Sequence, residues 1–109
     1  MGKPRILVLD YNKSRYAEIE DIVCIEMRTE TPKDVDGFSG VVIHNPSAPG
    51  CYGELIDRVV KEKMPLILHG CCSGAFREGL DDRYGGYDKA YHISANEDLV
   101  EKIREIFSS

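Results

Sequence analysis

Short apolar runs recur along the chain, and their spacing predicts its elements. Arg5-Ile6-Leu7-Val8-Leu9-Asp10 is a continuous apolar stretch ending in a polar residue, the pattern of a parallel strand buried on both faces that surfaces at its carboxyl end. Gly40-Val41-Val42-Ile43-His44 and Leu66-Ile67-Leu68-His69 repeat the pattern, while Val23 to Arg28 reads as the second strand and Tyr87 to Ile93 as the fifth. Helical spacing fills the gaps. Tyr16, Ile19, Ile22 and Val23 share one face of a helix that Asn12 or Ser14 can cap. Leu55, Ile56, Val59 and Val60 mark a second helix, with Lys61 and Lys63 where the helix dipole favours cations and Pro65 as its stop. A third runs from Ala75 towards Arg83, Gly85-Gly86 breaks the chain, and Leu99, Val100, Ile103, Ile106 and Phe107 mark a closing helix. Thr29 to Ser39 and Asn45 to Gly50 read as loops.

Strands alternating with helices of these lengths predict an α/β three-layer sandwich: one domain over residues 1–109 on a five-stranded parallel sheet, in the flavodoxin-like order 2-1-3-4-5. Such sheets bind ligands beyond the carboxyl ends of their strands. Here those ends are Asp10-Tyr11-Asn12, His44-Asn45-Pro46, Gly70-Cys71-Cys72 and His92-Ile93-Ser94, so polar side chains gather where the architecture expects a site.

Composition narrows the function classes. At 109 residues, 42% hydrophobic and 30% charged, the chain suits a single folded domain. The net charge of −5, with acids and bases interspersed, lacks the basic footprint of a nucleic-acid binder. Ile6 to Leu9 is too short for a signal core or a membrane span, and Ile6 occupies the position where a myristoylation motif needs Ser or Thr, so a cytoplasmic setting without membrane attachment is expected. Four cysteines, Cys24, Cys51, Cys71 and Cys72, form no CxxC pair and read as reduced thiols. His44, His69 and Cys51 match no compact ligand spacing, and Asp10 to Arg15 contains no glycine to wrap amides around a phosphate, so neither metal nor cofactor is expected. The third strand ends in His44-Asn45 rather than a phosphoacceptor aspartate. Small molecules or another protein remain as partners.

The most informative stretch is Gly70-Cys71-Cys72-Ser73-Gly74. A nucleophile elbow needs small residues on either side of the reactive one, because the sharp strand-to-helix turn crowds its neighbours. Cys72 would then sit at the start of a helix, where unpaired N–H groups favour thiolate, and the Ser73 amide would help to hold an oxyanion. The same residues also fit a plain tight turn, with both cysteines packed as small hydrophobes.

These pieces together resemble the class I glutamine amidotransferase-like superfamily. Ile6 to Asn12 looks like its first strand and turn, Gly40 to Ile43 followed by Asn45 to Gly50 looks like its strand and Pro/Gly loop, and Pro65 to Gly74 with Gly85-Gly86 looks like its elbow and later glycine pair. The resemblance implies a hydrolase in which Cys72 attacks an amide or ester through a thioester and His92 moves the proton, with Ser73, Asn45, Gly50 and Asp10 around the oxyanion and substrate. The chain departs from the family at Ser94, where an orienting glutamate would stand, unless Glu97 reaches back, and at Pro46-Ser47-Ala48-Pro49, which replaces a glycine-rich loop. Plain readings exist for both partners: strand alternation leaves His92 at a strand end, and Ser94-Ala95-Asn96-Glu97 is a capping box. The alternative is a catalytically inactive binding or regulatory module that keeps the scaffold and uses the rim of Asp10, Asn45 and Cys72.

Overall fold

In the computed structural model, which describes residues 3–46, 49–70, 73–94 and 98–107, each apolar run becomes a strand. The strands are β1 (Arg5–Leu9), β2 (Cys24–Arg28), β3 (Gly40–His44), β4 (Leu66–His69) and β5 (Ala90–Ile93), all parallel, in the order β2-β1-β3-β4-β5. A 3₁₀ helix (Lys13–Ile19), α1 (Leu55–Lys61), α2 (Ser73–Tyr84) and α3 (Leu99–Phe107) connect and cover them. Because side chains alternate along a strand, the sheet feeds two separate cores. Leu7, Val41, Ile43, Leu66 and Leu68 meet Leu55, Ile56 and Val59 of α1 and Phe76 and Leu80 of α2. On the other face Ile6, Val8, Val42, Ile67 and Ile93 meet Tyr16 and Ile19 of the 3₁₀ helix and Leu99 and Ile103 of α3. The expected three-layer architecture and strand order are therefore present. No helix of the described residues is long and apolar enough to cross a membrane.

Several boundaries differ from the sequence expectation, each for a local reason. The first crossover is a 3₁₀ helix that stops at Ile19, and the amides of Ile22 and Val23 fold back to the Ile19 carbonyl, both at 3.0 Å. The tighter winding rises about 2.0 Å per residue against about 1.5 Å for an α-helix, so a short connection spans more of the sheet. Asn12 makes no side-chain cap; its Oδ1 instead accepts the Ser14 hydroxyl at 2.6 Å. β5 begins only at Ala90, because the Tyr87 hydroxyl donates to the Met64 carbonyl at 2.6 Å and ties the preceding residues to the end of α1. α1 closes at Lys61, and Lys63 takes a left-handed φ of 54° before Pro65 is reached. α2 ends in the glycine pair: Gly86, at φ 98°, sends its N–H back to the Leu80 carbonyl at 3.2 Å.

α3 is capped by Asp98, whose Oδ1 accepts the Glu101 N–H at 3.1 Å. The Asp-x-x-Glu spacing lies beside the first apolar residue of the helix, four positions after the box expected at Ser94; Ala95, Asn96 and Glu97 fall outside the described residues. At one margin of the sheet, Glu26 of β2 pairs with Arg5 and, at 3.4 Å, with Arg28.

Ile67 lies on β4, an inner strand of the sheet, with 0% exposure. Ile67→Ala is expected to lower unfolding stability by about 3 kcal/mol in urea titrations at neutral pH, through lost burial and an unfilled cavity. A change under about 1 kcal/mol would mean that this face is loosely packed.

Candidate functional site

The parallel register lines up three polar residues at the carboxyl edge. Leu9 pairs with Ile43, which sets Asp10 alongside His44, and His44 pairs directly with His69. All three share the parity of Val8, Val42 and Ile67, so their side chains emerge on the face covered by the 3₁₀ helix. That helix supplies Arg15 and Tyr16.

The five residues form one hydrogen-bonded chain. Asp10, 5% exposed, accepts from the amides of Tyr11 and Asn12 on Oδ1 at 2.6 and 3.0 Å, and from Tyr16 Oη and Arg15 Nε on Oδ2 at 2.9 and 3.1 Å. Burial pushes this carboxyl up, but the bonds from the Asn12 amide, the Tyr16 hydroxyl and the Tyr11 amide outweigh it and hold Asp10 below its ordinary 3.8. Burial beside that carboxylate pushes the Tyr16 hydroxyl far up, so it stays a donor. Arg15 reaches on to His44 Nε2 at 3.3 Å, and His44 Nδ1 faces His69 Nδ1 at 3.0 Å. A guanidinium has donors only, so His44 Nε2 accepts, His44 Nδ1–H donates, and His69 Nδ1 accepts. Burial, followed by the repulsion a protonated His69 would meet from a protonated His44 and from the Arg15 guanidinium, holds His69 below its ordinary 6.5.

A crevice of about 230 Å³ opens beside this chain where the strand order reverses, lined by Asp10, Tyr11, Arg28, Thr29, Thr31, His44 and Tyr52 among others. Among the described residues no group of three or more His, Cys, Asp or Glu is arranged to hold a metal ion.

The opposite face carries a larger cavity of about 660 Å³ between α2 and β5. Its floor is Leu68, Leu80 and Ala90, and its rim includes Arg77, Asp81, Tyr87, Asp88 and His92. Strand parity turns His92 to this face, away from His44 and His69, and Gly74 in the first turn of α2 lines the same space.

The residues singled out in the sequence are thus distributed unevenly. Cys71 and Cys72 lie outside the described residues, as do Ser47, Ala48 and Glu97; Ser73 opens α2. Gly70, just before them, has φ 99°, a left-handed turn that ends β4. Asn45, also left-handed at φ 50°, donates its N–H to the His69 carbonyl at 2.7 Å, and its Oδ1 occupies the space a Cβ on Gly70 would need. Gly50 lies along the later part of α2, near Arg83, with neighbouring Pro49 packed on Gly79. Asp10 has both oxygens committed to internal donors. Sequence reasoning did not foresee Arg15 and Tyr16 as partners of Asp10, nor the pairing of the two histidines. The available signal was that His44 and His69 each close an apolar strand run at the same register.

Comparison with known protein families, with curated proteins and with solved structures finds no match to this chain.

The shifted groups set the acid stability. His69 is held below 6.5, so the unfolded chain binds its proton more readily, and stability is whole above about pH 6.5 and declines as the pH falls below it. Asp10 is held below 3.8, so its contribution persists above that value and is lost as the pH falls through the lower folded value. Urea midpoints measured from pH 8 to pH 3 should therefore fall in two stages, and His69→Asn should abolish the first. A midpoint flat between pH 7 and 5 would contradict the assignment.

Proposed function

We propose that the chain is a small amidotransferase-like domain in which Cys72, between β4 and α2 in the sequence, attacks an amide or ester carbonyl. The observation that supports this reading is that His92 and Gly74, the latter two residues after Cys72, line one cavity on one face of the sheet. Gly70, left-handed at φ 99°, ends β4 two residues before Cys72, a small residue at the position the elbow spacing assigns to one. Asp81 and Asp88 line the same cavity, so carboxylates are at hand although Ser94 stands where the related family has its acid. In the reaction, the Cys72 sulfur adds to the carbonyl carbon and the C–N or C–O bond breaks. The amine or alcohol leaves with a proton passed from the thiol through His92, and water then cleaves the thioester to restore the thiol.

The exposed cysteines Cys24 and Cys51 provide internal references. Site-resolved alkylation with iodoacetamide should modify Cys72 about tenfold faster than either at pH 6.5, as a nucleophilic thiolate requires. An activated ester should leave an acyl adduct on Cys72 that hydroxylamine removes, and His92→Asn should slow its formation by about a hundredfold. If Cys72 titrates together with Cys24 and Cys51 and takes no acyl group, the enzymatic reading fails.

A second reading, a catalytically inactive binding module, is favoured by the crevice beside Asp10, Arg28 and His44, whose lining among the described residues holds no nucleophilic thiol. On that reading Cys72→Ser leaves ligand binding unchanged.

A further inference from the structure

The chain from Asp10 to His69 has a feature the acyl chemistry does not use: it has no vacant place for a proton between its two rings. Both rings are neutral in the arrangement fixed by Arg15, and each lone pair within the chain already faces a donor, His44 Nε2 the guanidinium and His69 Nδ1 the His44 N–H. A proton taken from water at either position must therefore displace a hydrogen bond. Protonation of His69 at Nδ1 sets two N–H groups against each other across 3.0 Å. Protonation of His44 at Nε2 sets one against Arg15. Among the described residues, the charged and titratable groups facing the pair are Arg15 and Tyr16 from the 3₁₀ helix, Asp10 from the end of β1, and Arg28 on the wall of the adjoining crevice.

The pair is also joined to the turn after β4. His44 Cε1 lies 3.5 Å from where a Cβ on Gly70 would stand, and Asn45 fills the rest of that space. The Asn45 amide holds the His69 carbonyl at 2.7 Å, and the Gly70 amide holds the Ile93 carbonyl at 3.0 Å. His69 directly precedes Gly70, and its carbonyl is held by the amide of the residue after His44, so the ring pair and the Gly70 backbone share one set of supports. We propose that His44 and His69 are positioning residues for the Gly70 turn, holding its geometry while the pair shares one hydrogen bond and releasing it when the pair takes up a proton. The consequence for Cys72 rests on the thiol reading above: reactivity then falls on acidification through a second step, separate from ionisation of the thiol itself.

The test uses the ¹⁵N-labelled full chain. Imidazole ¹⁵N spectra at pH 7.5 should show His44 protonated on Nδ1 and His69 on Nε2. On lowering the pH the His69 ring should change with a midpoint below 6.5, the His44 Nδ1 signal should respond at that same step because it donates to His69, and the Gly70 and Asn45 amide signals should move with it. Arg15→Gln offers an acceptor as well as donors, so it frees the tautomers and should raise that midpoint by about one pH unit. His44 found as the Nε2–H tautomer, or two independent titrations near 6.5, would overturn the pair; this outcome is read in the unaltered protein, so it stands even where Arg15→Gln unfolds. A pair that behaves as stated while Gly70 stays still would overturn the positioning role. Alkylation of Cys72, referenced to Cys51, should show a severalfold step at the same midpoint. If Cys72 shows no excess reactivity at any pH while Gly70 follows the histidines, the thiol reading fails and the positioning role survives.

Discussion

Strand parity governs what this protein can bring together. In a parallel sheet, neighbouring residues in register point to the same face, and a shift of one position along a strand sends a side chain into the opposite core. His44 and His69 close their strands on one parity, while His92, paired with Leu68 rather than His69, closes β5 on the other. A single position of register therefore separates the histidine pair from the third histidine by the full thickness of the sheet. Among the described residues the two polar edges lie on opposite faces, one roofed by the 3₁₀ helix and one by α2.

The first edge is rigid for reasons of charge. A carboxylate removed from water, as Asp10 is, survives only if its oxygens are met by donors. The four that meet it come from its own turn and from the 3₁₀ helix. This fixes the path of the chain out of β1 and orients Arg15, which in turn dictates the tautomers of the rings beyond. The second edge is open: its cavity has an apolar floor and a charged rim, and α2 reaches it with small residues at its start and a glycine break at its end.

Much of the architecture was legible because buried parallel strands read as continuous apolar runs, as Ile6 to Leu9 and Val41 to Ile43 do, and because helical stripes such as Leu99, Val100 and Ile103 have no competing explanation. The boundaries that moved were set by long-range contacts. Tyr87 left the fifth strand because its hydroxyl is held by a carbonyl 23 positions away, which no local pattern reports. The Asp98 cap competed with an equally good box at Ser94, and sequence alone does not rank the two. For the site, the row of Asp10, His44 and His69 was visible as strand ends, but the residues that join the row come from a helix whose rotation was not. Cys72 and His92 were selected by chemistry and resemblance, and for them the sheet adds the placing of His92 on the α2 side.

The arginine pair on Glu26 has a bearing on growth of the sheet. β2 is an outermost strand, and its outer rim offers unpaired backbone groups to any extended segment that approaches. An incoming strand would have to strip water from Arg28 and from the Arg5–Glu26 couple before gaining a ladder of amide bonds. That desolvation works against further strands on this side and limits templated association between copies.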